Sequence, residues 1–373
     1  MLWGMVTLRL AQSADNAALL DLFAHVPMTG SLALVTRRDP DFFALYDIQR
    51  GLRECWVYAD GDRLSGMGTV LVREGWLDGQ PCRVGYLGDL RGHFAGRRQR
   101  GLARFYGEIF EGVRRRYGCD VFLTAMLASN AVAINSLVRQ RPERLCQPYY
   151  HLLRRFAVVS VHFTIRRHAS TRRGVWVRHA TETDIPAMGV LLDADHRRRP
   201  FGYRFDTGEL AHRFARWPGL TLEHTYLAHD RHGHLMGCAS AWDPSVLKSY
   251  QVEAYRGSMV WAKHGLNLLA ALCGTPRLPE PGESFRAFYL CNVSIRDDNP
   301  VILRALLEHI YADFHPRGYH FFMVCMYEHD PLAPALRGFC RRALAFHLYA
   351  VTSSSAPRTV YPRGRPGFEM ALA

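Results

Sequence analysis

The chain repeats itself, and that repetition limits what it can fold into more than any other feature. Thr7-Leu8-Arg9-Leu10-Ala11, then Asp15 and Ala18-Leu19, returns as Trp176-Val177-Arg178-His179-Ala180, then Asp184 and Ala187-Met188. Each copy reads as a short strand leading through a polar turn into an amphipathic helix. Ser13 is placed to cap the first helix, and Thr181 or Thr183 the second. A strand–turn–strand pattern follows twice, around Asp60-Gly61-Asp62 and around Asp230-Arg231-His232-Gly233, where Asp-Gly and His-Gly are hairpin signals. Buried-strand candidates come next, Val84-Gly85-Tyr86-Leu87 and Ala287-Phe288-Tyr289-Leu290, each leading to a helix, Leu102 to Arg116 and Val301 to Phe314. Gly118 and Gly318 suit the C-terminal caps of those helices. Each copy continues with an apolar strand (Val121 to Met126, Phe321 to Met326) and a helix-like segment (Asn130 to Arg139, Asp330 to Cys340). Each closes on aromatic and branched strands, Tyr149 to Phe163 and Leu344 to Val351. A single core seldom grows to 373 residues, so the repetition implies two units of one architecture.

The expected boundaries are 1–165 for the first unit, a basic linker at 166–174, 175–352 for the second unit, and a tail at 353–373. The tail is rich in Ser, Pro, Arg and Gly and reads as loose. The second unit carries an insertion around Pro244 to Glu283, in which Val260 to Leu272 is expected to be a helix.

The most chemical stretch is Arg97-Arg98-Gln99-Arg100-Gly101-Leu102-Ala103. It lies between a strand and a helix whose Leu102, Phe105, Tyr106, Ile109, Phe110 and Val113 share one face. A glycine-containing loop that opens a helix aims backbone N–H groups and the positive end of the helix dipole at one spot, which suits phosphate oxygens. A basic surface loop capping a helix fits the same residues. The net charge of +13 is almost all arginine, the only lysines being Lys248 and Lys263. It favours anionic partners without choosing among phosphorylated cofactors, acidic substrates and RNA. Nine cysteines, an odd number with no C-x-x-C pair, suggest reduced core thiols. Met1 to Leu10 lacks the apolar segment of a signal peptide, and no run reaches the ~18 apolar residues of a membrane span. A cytoplasmic protein with no membrane partner is the expectation.

Strand, helix, hairpin, strand, phosphate-binding loop and helix, strand, helix, strand is an order that resembles the GNAT acyltransferase superfamily. Gly85-Tyr86-Leu87-Gly88-Asp89-Leu90-Arg91 and the following Arg98-x-x-Gly101-x-Ala103 carry the resemblance, the second piece fitting the family's R/Q-x-x-G-x-G/A signature. It covers both halves, roughly 5–163 and 175–352. It implies an α/β (α+β) chain of two GNAT-like domains, each a mixed, mostly antiparallel central sheet flanked by helices. It also implies an acyl-CoA-dependent N-acyltransferase, with acetyl-CoA or another acyl-CoA as co-substrate, a primary amine as acceptor and no metal. By the same resemblance, Arg97, Arg98, Gln99, Arg100, Gly101, Leu102 and Ala103 would hold the pyrophosphate of coenzyme A. Leu90 and Arg91 would line the thioester, and Asn130 would reach the pantetheine arm or else cap its own helix.

In the second half, Ile295-Arg296-Asp297-Asp298-Asn299-Pro300 stands where the arginine-rich stretch should be. Two carboxylates would repel a pyrophosphate, and Pro300 removes an N–H. The second copy is therefore expected to be degenerate, completing a substrate cleft or holding a homodimer together.

For the chemistry, Asp89 is the candidate base; alternatively it only pairs with an arginine such as Arg91. The tyrosine that the family often uses as an acid is replaced by Leu137, leaving Tyr149 and Tyr150 as substitutes; both also suit half-buried packing. His229-x-x-His232-x-His234 straddles a turn and reads as a polar turn, not a metal site. Cys146 reads as a core-facing thiol. Two other functions share the resemblance: an aminoacyl-tRNA-dependent transferase, since basic charge suits RNA, and a non-catalytic coenzyme A-binding module.

Overall fold

In a computed structural model the described residues are 6–24, 30–61, 63–92, 97–141, 147–169, 174–206, 208–355, 361 and 364–373. The first half runs β1 (Val6–Leu10), α1 (Asn16–Ala24), β2 (Leu32–Arg37), α2 (Ala44–Asp47), β3 (Leu52–Asp60), β4 (Arg63–Leu77) and β5 (Gln80–Gly92). It continues through α3 (Arg97–Tyr117), β6 (Phe122–Leu127), α4 (Ala131–Ala133) and β7 (Tyr149–His162). The second half runs β8 (Trp176–His179), α5 (Ile185–Arg198), β9 (Gly202–Tyr203), α6 (Glu209–Arg216), β10 (Thr225–His229), β11 (Leu235–Trp242) and β12 (Ser249–Tyr255). It closes with α7 (Ser258–Cys273), β13 (Ala287–Ile295), α8 (Pro300–Phe314), β14 (Phe321–Tyr327) and β15 (Arg341–Thr352). The repeated order of the sequence is thus a repeated order of elements.

Local signals account for many boundaries. Thr181, one of the two expected caps, forms a capping box with Asp184 ahead of α5, whereas Gln12 and not the expected Ser13 holds that position ahead of α1. Gly318 ends the second half's long helix at φ 74°. Two further expectations are corrected. β4 and β5 extend well beyond the apolar runs, because Asp78 and Gly79, both at positive φ, turn a second hairpin between them. The segment after β6 is not one regular helix; α4 passes into a π-helical stretch, Ile134–Val138.

Thirteen strands form one sheet in the order β1-β3-β4-β5-β6-β15-β7-β14-β13-β11-β10-β8, with β9 paired to β4, and β2 pairs antiparallel with β12 in a second sheet. Its centre is an exchange. β15, from the second half, pairs antiparallel with β6 of the first, from Phe346↔Leu127 to Val351↔Phe122. β7, from the first half, pairs antiparallel with β14 of the second, from Phe321↔His162 to Tyr327↔Phe156. β7 and β15 pair with each other along their whole length. Each half's last strand therefore completes the other half's sheet. The largest apolar cluster spans both halves, joining Leu45, Val84, Leu123 and Phe156 to Phe201, Trp242, Leu348 and Leu372. Smaller clusters lie under α3 (Phe110, Val113, Phe122) and under α8 (Leu303, Leu306, Ile310, Phe314).

The expectation of a loose tail is corrected over 364–373. The Gly367 N–H donates to the Pro200 carbonyl at 2.9 Å, and Arg73 donates to the Gly367 carbonyl at 3.0 Å. A Cβ on Gly367 would sit 2.3 Å from Cα of Gly202, so the two backbones cross at van der Waals distance. Phe368 packs between Tyr86 and Phe156, at ring-centroid distances of 5.7 and 5.8 Å. Composition correctly predicts irregular backbone here but gives no sign that it docks.

Candidate functional site

β5 and β6 are parallel and pair only at Gly85↔Phe122 and Tyr86↔Leu123. A Cβ on Gly85 would overlap the Phe122 ring at 1.9 Å, so only glycine lets that ring lie across the pair. Beyond Tyr86 the ladder stops, and Thr124 Oγ1 reaches across to donate to the Leu87 carbonyl at 2.8 Å. On its other edge β5 is bulged against β4, with a register shift between Met67 and Thr69, and Asp89 takes φ 49°. A parallel pair that opens beside a bulged strand leaves a cleft floored by β5.

The cleft continues into an apolar cavity of about 80 Å³ between the sheet and α3. Gly68, Tyr58, Leu87, Leu90, Ile109 and Tyr150 are among its lining residues. Gly68 leaves it room: a Cβ there would touch only Leu90 Cδ1, at 3.5 Å.

The polar side of the bulge is organised around Asp89. Its carboxylate accepts from Arg38 at 2.9 Å and from the Tyr46 hydroxyl. The Arg38 side chain is 1% exposed and packs near the faces of Phe23, Phe42 and Tyr46. Burial by itself raises the Asp89 carboxyl pKa; Arg38 and Arg91, with the Tyr46 hydrogen bond, outweigh it, and the group titrates below the usual carboxylate range. Arg91 instead places its guanidinium 3.6 Å from the centre of the Phe23 ring and donates to the Phe23 carbonyl at 3.3 Å. Asp89 therefore pairs with an arginine, but its direct partner is Arg38, from the turn after β2.

The second half reaches this point too. Lys248 is buried, donates to the Ala371 and Ala373 oxygens at 3.1 and 2.6 Å, and adds its charge to the field at Asp89. Burial, with repulsion from Arg38, lowers its pKa to about 7. The hydroxyls of Tyr250 and Tyr289 share a hydrogen bond of 2.6 Å.

The other sequence-chosen residues fall into place as follows. The backbone of Arg97, Arg98, Gln99, Arg100, Gly101, Leu102 and Ala103 is already helical, so the expected loop is the first turns of α3; their side chains lie outside the described ones. Leu90 lines the cavity. Asn130 caps α4, its side chain accepting from the Ala133 N–H at 3.0 Å, as its alternative reading had it. Tyr150 shares a 2.5 Å hydrogen bond with the Tyr106 hydroxyl, and burial pushes its pKa well up, so the phenol stays protonated. Tyr149 stacks on His151 and lies outside the residues lining the cavity. His232 and His234 sit on the turn built on Asp230, and no cluster of three or more metal-ligating side chains occurs among the described residues. Cys146 lies outside the described residues. Sequence reasoning missed Arg38, Tyr46 and Lys248; nothing in their neighbourhoods marks them.

The second copy preserves the geometry but fills it. β13 and β14 pair in parallel at three positions, β11 is bulged between Cys238 and Ser240, and Asn292 takes φ 50° where Asp89 takes 49°. Glu369 of the tail accepts from Arg213 at 2.8 Å, and Arg213 also donates to Asn292 Oδ1 at 2.8 Å. Pro366 and residues Phe368 to Ala371 line the space between β13 and β14. At the start of α8, Asn299 caps the helix and Arg365 pairs with Asp298.

No family model matches the sequence, and no curated protein does. Solved structures match its fold. A GCN5-related N-acetyltransferase from Sphaerobacter thermophilus superposes with a TM-score of 0.54 at 14% identity, covering 98% of both chains. Saccharomyces cerevisiae N-myristoyltransferase with bound myristoyl-CoA superposes with a TM-score of 0.59 at 12% identity, covering 98% of this chain and 85% of that one. The chain has the fold of the GNAT-superfamily N-acyltransferases.

Proposed function

We propose that the protein is an acyl-CoA-dependent N-acyltransferase whose first-half cleft, between β5 and β6, takes the acyl donor. The observation that carries this reading is the parallel pair that opens after Tyr86 beside the bulge at Asp89, leading to an apolar cavity. The start of α3 would offer its unpaired first-turn backbone N–H groups to the pyrophosphate. Backbone N–H groups near Leu90 and Arg91 would stabilise the oxyanion as the amine attacks the thioester carbonyl. The C–N bond forms, the C–S bond breaks, and the ammonium proton leaves to water. Tyr150, protonated and lining the cavity, stabilises the departing thiolate with a hydrogen bond, and the thiolate takes up its proton from water. Asp89 is a weakened base because Arg38 holds it ionised, and its role is to fix the bulge.

Acetyl-CoA is the donor that the resemblance favours, whereas the apolar cavity supports a longer acyl chain. The acceptor is an amine. Calorimetric titration of coenzyme A tests the reading. The wild type should bind, and Gly101→Asp, which sets a carboxylate in the first turns of α3, should weaken binding at least about tenfold. A wild type that does not bind coenzyme A would sink the proposal.

A further inference from the structure

The helix in the second-half insertion is turned inside out. Met259, Lys263, Asn267 and Ala270 are its covered residues and fall within about 80° of arc at 100° per residue. Two of these four are polar. Lys263 pairs with Glu280, and Asn267 accepts from the Leu278 N–H at 2.7 Å. Trp261, Leu268 and Leu272 lie within about 40° of one another on the opposite side, and they are 80%, 68% and 79% exposed. Leu269 and Leu266 extend the apolar crest around the helix, at 54% and 46% exposed. A surface helix ordinarily buries its leucines and shows its lysine to water. Here the lysine is inside and the leucines are out.

We propose that α7 docks on an anionic lipid surface, lying in the headgroup region with Trp261, Leu268 and Leu272 inserted. Charge decides between the two occupants an apolar crest could have. Residues 258–273 contain no Asp or Glu, Arg256 and Arg277 stand beyond the two ends, and the whole chain carries +13. Glu253, Glu280 and Glu283 flank the helix in sequence, and the first two pair with Arg256 and Lys263. An anionic bilayer attracts a chain of +13 that presents no carboxylate on this helix, whereas a second copy with the same net charge repels it. Shape agrees. A two-fold helix pair covers one face, but the exposed apolar side chains here wrap about 240° of arc, from Val260 to Leu266. At ~24 Å the helix is too short for a ~30 Å hydrocarbon core, and no helix among the described residues is long and apolar enough to cross a membrane. It lies on the surface and does not span it. A sequence without a membrane-spanning run is compatible with such a surface contact, and the proposal stands whether or not the acyltransferase reading does.

The test is flotation of the full chain with vesicles of phosphatidylcholine containing phosphatidylglycerol, alongside vesicles of phosphatidylcholine alone and sedimentation without lipid. Wild type should float with the anionic vesicles, and the double variant Leu268→Glu/Leu272→Glu should lose at least about tenfold in bound fraction. Both side chains are exposed, so the variant should keep the wild-type melting temperature. A wild type that stays unbound, or a variant that floats equally well, overturns the proposal. A dimer without lipid that the double variant dissociates also overturns it and gives the surface to a second copy.

Discussion

Gly68→Val tests the assignment of the apolar cavity to the acyl donor at a glycine that lines it. By the measure in which a water molecule needs ~10–15 Å³, the cavity's 80 Å³ has room for about five or six methylene-sized groups. Each methylene moved from water into apolar surroundings contributes ~0.8 kcal/mol. Full occupancy would therefore favour a chain of that length over acetyl by up to ~4 kcal/mol, or about 10³ in kcat/KM. Valine adds three carbons. Its Cβ would make only an ordinary contact, 3.5 Å from Leu90 Cδ1, and a branched residue suits a strand. The fold should persist while about three methylene positions disappear. The expected loss is ~2 kcal/mol, about 30-fold in kcat/KM, on six- to eight-carbon donors, with little change on acetyl-CoA. The assay is thiol release across straight-chain donors of two to eight carbons, with one amine acceptor held fixed. An equal loss at every chain length, or a wild type that prefers acetyl-CoA, would refute the assignment of this cavity to the acyl chain.

Two further outcomes follow from the buried contacts. Asp89→Asn leaves Arg38 without its carboxylate and should cost roughly 3–5 kcal/mol of stability at neutral pH. Because the Asp89 pKa lies below its unfolded value, that difference should be constant above about pH 5 and shrink as the pH falls below about 4; urea titrations at several pH values measure it, and a difference that grows on acidification would contradict the pairing. Gly367→Ala drives a methyl group into the Gly202 backbone and should release the tail from the second cleft. Hydrogen exchange over 364–373 should then rise at least tenfold, about 1.4 kcal/mol of lost protection, while α3 stays protected.

The parts legible in the sequence were those with a local physical cause. Periodicity marked α3 and α8, Asp-Gly and His-Gly marked hairpins, and the matching strands around Tyr86 and Tyr289 marked the similar order of elements in the two halves. Asp89 was legible as a carboxylate inside an apolar strand. Its partner was not, since Arg38 is one arginine in an arginine-rich chain and meets Asp89 only through the fold. The exchange of β7 and β15 was equally hidden. Both strands are aromatic and branched, so either sheet would accept either strand by pattern alone. The tail's docking rests on a few residues, among them Gly367, Phe368 and Glu369, too sparse for any period to show.

The exchanged strands also bear on how such a molecule diverges. Two halves that each lend the other a strand have the contacts of a strand-swapped dimer, and such dimers come apart on dilution. Here 166–174, nine residues, ties the two together, so the partner strand is met at a fixed effective concentration, on the millimolar scale for short tethers, however dilute the protein. Assembly no longer depends on both copies keeping the same surface or the same chemistry. Glu369 and Phe368 line the second cleft while β15 of that half completes the first half's sheet, so filling one cleft leaves the shared sheet intact.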